Sequence, residues 1–283
     1  MTEIVDARPS AIAGSWYPAN SSDLTLSVDS YLQLANSRQF PPSNIKGLIV
    51  PHAGHIYSGQ VAGKAFGLVK ETQPDTVVIL SPHHGYSPYA FLSSKHTHYQ
   101  TPLGQVPIQH GLLDNISKQL ETETDQPITL VGQDSEHSLE IQLPFLQRVL
   151  NHPFQLIPIM MRSYQFAHLI ALGDAIANCL AGRAWLMVIS TDLSHFKTIG
   201  AAHNLDRDML RAWESFDEEG ILRSAMVEKT EACGLNAVLA GIRACKQAGA
   251  TGLSVLGYDT SARVTGDRSS VVGYASAVIT SEI

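Results

Sequence analysis

The sequence predicts an α/β fold, a single domain with a central, mixed but mostly parallel sheet flanked by helices. Three observations predict it: apolar runs of strand length recur along the chain, longer amphipathic stretches separate them, and the runs are rich in Val, Ile and Leu. Strands covered by helices on both faces have this composition because neither face meets water. No repeat or linker interrupts the 283 residues, so we expect one domain over 1–283.

The predicted elements follow one another in order along the chain. Strands are predicted at 46–51, 76–80, 154–160, 184–190, 252–258 and 271–279. Helices are predicted at 22–36, near 59–70, and at 137–150, 165–181, 200–216 and 233–247. Ser21 or Ser22 is a suitable N-cap for the first helix. The segment 86–110 contains turn residues and alternating polarity, which predicts a hairpin beside the sheet.

Charge and apolar patterning argue against several classes of partner. The formal net charge is −7 and no run of Lys or Arg occurs, so we expect neither nucleic acid nor an anionic membrane as a partner. The longest apolar runs, such as AWLMVI, are too short to span a bilayer, and the amino terminus has no apolar signal region. Three cysteines without a CxxC spacing favour a reducing, cytoplasmic location.

Three predicted strands are followed by histidine-bearing loops. In an open α/β sheet, ligands bind beyond the carboxyl ends of the strands, so these loops are expected at one edge of the sheet. A single loop histidine usually caps or hydrogen-bonds, whereas three such loops together favour a metal site. The loops are PHAGHIYSG with His52 and His55, SPHHG with His83 and His84, and TDLSHF with Asp192 and His195.

A metal site with two histidines needs a third ligand, and the segment before the last predicted helix offers Glu231 and Cys233. A helix amino terminus lowers the pKa of a thiol, which favours Cys233 as thiolate; a small buried apolar role is the alternative. Glu136, His137 or Glu140 either orients a ligand histidine or complements the helix dipole.

A Ser/His/Asp hydrolase is a competing hypothesis. Ser81 lies near His83, and Ser194 lies between Asp192 and His195. The chain has no GxSxG elbow, and it also lacks a P-loop and a dinucleotide-binding GxGxxG motif. We therefore rank the hydrolase below a metal site.

Eight sequence blocks resemble the Memo family, whose bacterial and archaeal members are called AmmeMemoRadiSam system protein B. The blocks are AGSWYPA, IVPHAGHIYSGQVAGKAF, ILSPHHG, YQTPLGQV, EHSLEIQLPFLQ, STDLSHF, ACGLNAV and RVTGDRSSVVGYAS. They occur in this order from residue 13 to residue 276. The resemblance implies the fold of the class III extradiol dioxygenases, which are non-haem iron enzymes that open catechol rings.

The resemblance also implies a ligand set. It identifies His52, His83 and Cys233 as metal ligands, and Asp192 and His195 as the groups that orient and transfer protons. A cysteine stands where the dioxygenases have a carboxylate, so ring cleavage is in question. Fe(II) is the expected metal, with Cu or Zn as alternatives. The side chains assigned to the substrate pocket are His84, His55, His137 and Tyr57.

Two functions from different classes agree with these residues. The first is a dioxygenase-like oxidoreductase that uses iron or copper on an unknown small molecule. The second is a non-catalytic protein that binds a metal, a peptide or a partner; zinc-assisted hydrolysis is a third possibility. The resemblance implies AMMECR-type and radical SAM proteins as partners, and we also expect a homodimer.

Overall fold

A mixed sheet of nine strands forms the centre of the protein in the computed structural model, which describes residues 6–36, 40–227 and 231–281. The strands of the chain are β1 (Ala7–Arg8), β2 (Ile45–Val50), β3 (Thr76–Pro82), β4 (Phe91–Ser94), β5 (His98–Thr101), β6 (Gly104–Pro107), β7 (Ile128–Val131), β8 (Gln155–Met161), β9 (Trp185–Ser190), β10 (His195–Lys197), β11 (Gly252–Thr260) and β12 (Val271–Thr280). The order in the large sheet is β10-β12-β2-β9-β3-β8-β4-β7, and β11 pairs with β12.

The four central strands β2, β9, β3 and β8 are all parallel. Antiparallel pairs flank them, because β12 joins β2 on one side and β4 joins β8 on the other. The predicted α/β fold with a mixed, mostly parallel sheet is confirmed. Since the central strands run in one direction, the loops after β2, β3 and β9 all leave the same edge of the sheet.

Helices cover both faces of the sheet. They are α1 (Ser21–Leu32), α2 (His55–Phe66), α3 (His110–Thr124), α4 (His137–Glu140), α5 (Leu143–Val149), α6 (Phe166–Cys179), α7 (Ile199–Glu214), α8 (Glu218–Val227), α9 (Leu235–Gln247) and α10 (Ala262–Thr265). Asn20, not a serine, caps α1, since its side chain accepts from the N–H groups of Ser22 and Asp23. Within the described ranges, none of the helices has the length and apolar character needed to cross a membrane.

The predicted helix over 137–150 is two short helices, α4 and α5. Pro144 lies in the first turn of α5, where its missing N–H costs nothing, but it cannot continue a helix from α4. The break leaves Gln142 between the helices with a side chain that points into the protein, where it is 1% exposed.

The predicted hairpin over 86–110 is divided between two sheets. β4 enters the main sheet, where Phe91 and Leu92 pair with Met161 and Met160. β5 and β6 form an antiparallel hairpin that pairs with β1 in a separate three-stranded sheet. This small sheet holds the amino-terminal segment beside the loops that follow the main strands.

Alternation along the central strands divides the core into two layers. Along β3, Val78 and Leu80 belong to the cluster on one face, and Val77 and Ile79 to the cluster on the other. All four side chains are fully buried. Side chains of a strand point alternately to opposite faces, so such a strand needs apolar residues at every position.

Candidate metal centre

Three loops bring two imidazoles and a thiol together at one edge of the sheet. They are the loops after β2 and β3 and the loop before α9, which lies next to the end of β9. One donor atom from each of His52, His84 and Cys233 lies within 4.8 Å of the others. We call these residues the His52–His84–Cys233 group. Cys233 comes from the loop before α9, and its backbone N–H donates to the carbonyl of Asp192, 3.2 Å away, which ties that loop to the end of β9.

His52 is the buried imidazole of this group. Its backbone N–H donates to Asp192 Oδ1 at 2.8 Å, and its Nδ1 lies 3.0 Å from Ser190 Oγ. Its Nε2 lies 3.2 Å from the sulfur of Cys233. Burial, reinforced by His84 and His137, lowers the pKa of His52 well below its usual value. The ring is therefore neutral at physiological pH, which is the form that binds a metal.

Cys233 reaches His52 because the chain passes very close to β9. A Cβ at Gly234 would lie 2.4 Å from the carbonyl oxygen of Ser190, so only glycine fits there. The residue as a whole is half-buried, but its sulfur has His52 Nε2 and the backbone N–H of Asp192 as neighbours, each at 3.2 Å. Burial and the Asp192 carboxyl raise the pKa of the Cys233 thiol, so the helix terminus does not produce the expected free thiolate. A bound cation would remove the thiol proton, as coordinated thiols lose it.

The loop after β3 supplies His84 to the group, where the sequence-based assignment named His83. Both histidines lie in the loop directly after Pro82, the last residue of β3. His83 is not part of the group. Its ring Nδ1 lies 3.1 Å from the carbonyl of Gly85, and its backbone N–H donates to the carbonyl oxygen of Met161. In the structure His84 takes the place expected for His83 in the candidate group, and which of the two binds a metal stays a prediction.

Glu136 fixes the orientation of His84. One carboxylate oxygen lies 2.9 Å from His84 Nδ1, and the other accepts the backbone N–H of His84 at 2.6 Å. The same carboxylate caps α4 by accepting from the N–H groups of His137 and Ser138. It thus forms the charged helix start considered from the sequence and holds a histidine of the candidate group; its role in orienting a metal ligand stays a prediction. Because Nδ1 of His84 is engaged, Nε2 is the nitrogen available to a metal.

The His84–Glu136 pair shifts the pKa of both partners. The hydrogen bond to Glu136 raises the pKa of His84 despite partial burial. Burial by itself raises the pKa of Glu136, but the hydrogen bonds from His84 and from Ser138 outweigh it and bring that pKa well below the usual range. The carboxylate is therefore ionised although it is buried.

His137 is part of an aromatic wall beside the group. Its ring packs against Trp16 with centroids 4.2 Å apart and planes tilted by 43°, and it stacks on His84 at 4.7 Å with an interplanar angle of 20°. His84, Glu136 and His137 also have donor atoms close enough for a second metal. Nearly parallel stacked rings cannot both direct an in-plane lone pair at one ion, and Glu136 already accepts several hydrogen bonds. The His52–His84–Cys233 group is thus the better candidate.

A cavity of about 950 Å³ opens next to His84 and His137. Its wall also includes Arg8, a side chain that is 2% exposed and bonded to Asp134 and Glu140 at 2.6 and 2.7 Å. Sequence reasoning did not find Arg8, because only the folded chain brings the small sheet to this edge. Of the His52–His84–Cys233 group, His84 lines this cavity, and His83 lines it as well.

Asp192 lies on the loop after β9, and His195 is the first residue of β10 at the end of that loop. Asp192 Oδ2 is 4.0 Å from His52 Nε2, and burial raises the pKa of Asp192 to about 7 although backbone N–H groups oppose the shift. His195 is half-buried, and burial lowers its pKa. Its neighbour Phe196 adopts a left-handed φ of 57° at an irregularity in the β10–β12 pairing, a feature that re-aims side chains. The catalytic roles of Asp192 and His195 stay predictions.

His55 and Tyr57 are not brought into the His52–His84–Cys233 group. His55 is 3% exposed, packs on Phe145 with ring centroids 4.8 Å apart, and lies with Nε2 3.2 Å from the Ile141 carbonyl. Burial lowers the pKa of His55 to about 4. Tyr57 is half-buried on the first turn of α2, and its backbone carbonyl faces Arg263. The sequence could not separate a pocket role from a packing role for these two residues.

The serines considered for a hydrolase are enclosed by protein. Ser81 and Ser194 are both 0% exposed. Ser81 Oγ has no hydrogen-bond partner among the described residues, whereas a serine nucleophile needs a base within hydrogen-bond reach. The arrangement therefore favours metal chemistry over a Ser/His/Asp mechanism.

Comparison with known proteins agrees with this arrangement. The sequence model of the family described as Memo-like protein matches residues 8–278. Similar proteins include a MEMO1 family protein of Nitrosopumilus maritimus, 31% identical over 94% of this chain and 97% of its own, and a MEMO1 family protein of Aquifex aeolicus, 32% identical over the same shares. The chain belongs to the Memo-like protein family.

A solved structure supports the fold. The crystal structure of the uncharacterized protein JW3007 from Escherichia coli K12 matches with a TM-score of 0.55, covering 83% of this chain and 99% of that one. The two sequences are 11% identical, so the similarity extends to the fold alone.

Proposed function

We propose that the His52–His84–Cys233 group binds one redox-active metal ion, with Fe(II) first and copper second, and that the protein is an oxidoreductase acting on a small molecule. One observation carries the proposal: two imidazoles and a thiol from three separate loops have donor atoms within 4.8 Å of one another, beside a cavity. Structural packing gives no reason for such donors to converge at the ligand-binding edge of the sheet.

The donor set fits such a metal. Imidazole suits Fe, Cu and Zn, and a thiolate donates more charge than the carboxylate of a two-His-one-carboxylate site. Three protein ligands leave coordination positions open for a substrate. Iron or copper held there would supply one-electron chemistry that protein side chains lack.

The surrounding residues have separate tasks in this proposal. Glu136 holds His84, and the adjoining rings of His137 and Trp16 offer an aromatic surface beside the group for a planar, chelating substrate. Asp192, with a pKa of about 7, accepts or releases a proton near neutral pH. His195 is the second proton-transfer group, as the family resemblance implies; it is half-buried and begins β10, three residues after Asp192.

The first test is the metal content of protein purified without air. Wild type, Cys233→Ala and the control Cys179→Ala are compared for Fe, Cu and Zn per chain; Cys179 is half-buried on α6, away from the group. We expect about one iron or copper per chain in wild type and in the control, and none in Cys233→Ala. Oxygen consumption with catechols and other chelating phenols then tests turnover.

Each result decides between functions. Wild type without metal, even after reconstitution, contradicts the metal site. Metal without oxygen consumption on any phenol favours the non-catalytic binding protein. Stoichiometric zinc, with hydrolysis of esters or amides that Cys233→Ala lacks, replaces the oxidoreductase by a hydrolase.

A further inference from the structure

We propose that Ser190 is a positioning residue that fixes His52 as the Nδ1–H tautomer, so that Nε2 carries the lone pair toward Cys233. The proposal concerns the protein without metal, and only its affinity measurement rests on the proposed function. Ser190 is the last residue of β9 and is 0% exposed. Nothing in the sequence distinguishes it from other serines at strand ends.

The tautomer follows from counting protons on the Ser190 hydroxyl. A hydroxyl has one hydrogen and two lone pairs. Ser190 Oγ lies 2.6 Å from the carbonyl oxygen of Ser138, which can only accept, so the single hydrogen is committed there. Ser190 Oγ lies 3.0 Å from His52 Nδ1 and has only lone pairs left for it. His52 Nδ1 must therefore be the donor.

Gln142 keeps the hydroxyl in this state. Its side-chain nitrogen donates to Ser190 Oγ and to the carbonyl of Pro51, each at 3.0 Å. The carbonyl of Pro51 can only accept, so the amide group must present its NH₂ side to Ser190. Its oxygen, Oε1, is buried without a partner among the described residues, so only the NH₂ side orients the amide. The second lone pair of Ser190 Oγ is thus occupied, and the hydroxyl hydrogen cannot turn toward His52.

The consequence for His52 is a defined donor atom. With the proton on Nδ1, Nε2 is unprotonated and faces the sulfur of Cys233 at 3.2 Å. The opposite tautomer would place a hydrogen on Nε2, which would then have no lone pair to offer a metal. Partners that fix the tautomer of a ligating histidine typically change metal affinity by about 10- to 100-fold.

The test reads the tautomer directly. Metal-free protein with ¹⁵N-labelled histidine is measured by NMR, with the His52 signals assigned by comparison with His52→Gln. We expect a single Nδ1–H tautomer for His52 in wild type and a mixture in Ser190→Ala. Ser190→Thr, which keeps the hydroxyl, should restore the wild-type pattern. Ser81→Ala is the matched control, because Ser81 is an equally buried serine near the end of the adjacent strand β3.

Metal affinity gives the second readout, by competition with a chelator for Fe(II). We expect Ser190→Ala to bind about 10- to 100-fold more weakly than wild type, and Ser81→Ala to bind like wild type. If Ser190→Ala does not fold, Ser190→Cys keeps the size of the side chain with a much weaker acceptor and should give the same mixture.

Two results would overturn the assignment: an Nε2–H tautomer in the wild type, or an unchanged tautomer and affinity in a folded Ser190→Ala protein. A wild type that binds no metal but shows the expected tautomers would instead contradict the proposed function and leave the role of Ser190 supported. The two failures are therefore distinguishable.

Discussion

The two histidines of the candidate metal centre have pKa values shifted in opposite directions. We call the surroundings of His52 the buried half of the centre and those of His84 the open half. His52, 2% exposed, has a lowered pKa because it is buried. His84, whose side chain is 40% exposed, has a raised pKa because it is hydrogen-bonded to Glu136. Burial thus favours the neutral form of His52, while the surroundings of His84 keep an ionised carboxylate, Glu136, hydrogen-bonded to the imidazole next to the cavity.

The contrast between the two histidines shows how a chain can bring metal-binding side chains together without burying an unpaired charge. The imidazole, thiol and Asp192 carboxyl of the buried half are all shifted toward their neutral forms. Glu136, a buried carboxylate that stays ionised, accepts hydrogen bonds from a side chain and from the backbone at once. Burial favours neutral groups, and only a full set of donors outweighs it.

The largest effect should come from removing the imidazole of the open half. We expect His84→Ala to contain less than one metal ion per chain. Its metal affinity should fall by more than the roughly 100-fold typical of residues that only orient a ligand. His83→Ala, the adjacent control, should keep it, because His83 faces the carbonyl of Gly85. Metal analysis after anaerobic reconstitution measures both. Loss of metal in His83→Ala with retention in His84→Ala would instead support His83, the ligand that the family resemblance implies.

A second prediction tests the buried half through pH. The folded-state pKa of Asp192 is about 7, above its usual 3.8, so the folded protein holds this proton more tightly. The resulting stabilisation is complete below about pH 4 and is lost as the pH rises through 7; it amounts to at most about 4 kcal/mol. In the metal-free wild type, this group should make the free energy of unfolding fall between pH 4 and pH 8. We expect a smaller fall in metal-free Asp192→Asn.

Urea unfolding at several pH values measures this effect, with Asp114→Asn, an exposed substitution on α3, as the control. Other groups titrate in the same range, so the informative quantity is the difference between wild type and Asp192→Asn. An identical pH profile for these two proteins would show that Asp192 is ionised in the fold at neutral pH.

The smallest effect should come from neutralising the carboxylate of the open half. Glu136→Gln replaces an acceptor oxygen by NH₂ opposite the donors of His84, His137 and Ser138. We expect unfolding to become easier by about 1–3 kcal/mol, the cost of leaving buried donors unpaired. Denaturant unfolding measures it, and Glu121→Gln on the exposed side of α3 is the control. A cost below that of the control would mean that Glu136 does not stabilise this half.

Much of the arrangement was predictable from the sequence, for identifiable reasons. The apolar runs specify strands buried on both faces, and the polar loops after three of them specify the edge where a ligand binds. His52 and Cys233 were found as candidates because each stands in such a loop or at a helix start. The eight family blocks pointed to the Memo-like family, which the full-length match confirms.

Other features depended on contacts between segments far apart in the chain. Glu136 holds His84 from 52 residues away, and Arg8 reaches Glu140 from 132 residues away. The pKa of Cys233 also differs from the sequence-based expectation, because burial among Asp192, Thr191 and His52 outweighs a nearby helix terminus. No local pattern reports the burial of a side chain by distant segments.

The sequence by itself determined the fold class, the edge of the sheet that carries the candidate site, and the types of donor gathered there. The tertiary structure decided which of two adjacent histidines faces the group, and which groups around it are charged. Periodicity in the sequence follows from local backbone geometry, which fixes strands and helices. The direction of a loop side chain and its pKa depend on neighbours that only the folded chain brings within hydrogen-bonding distance.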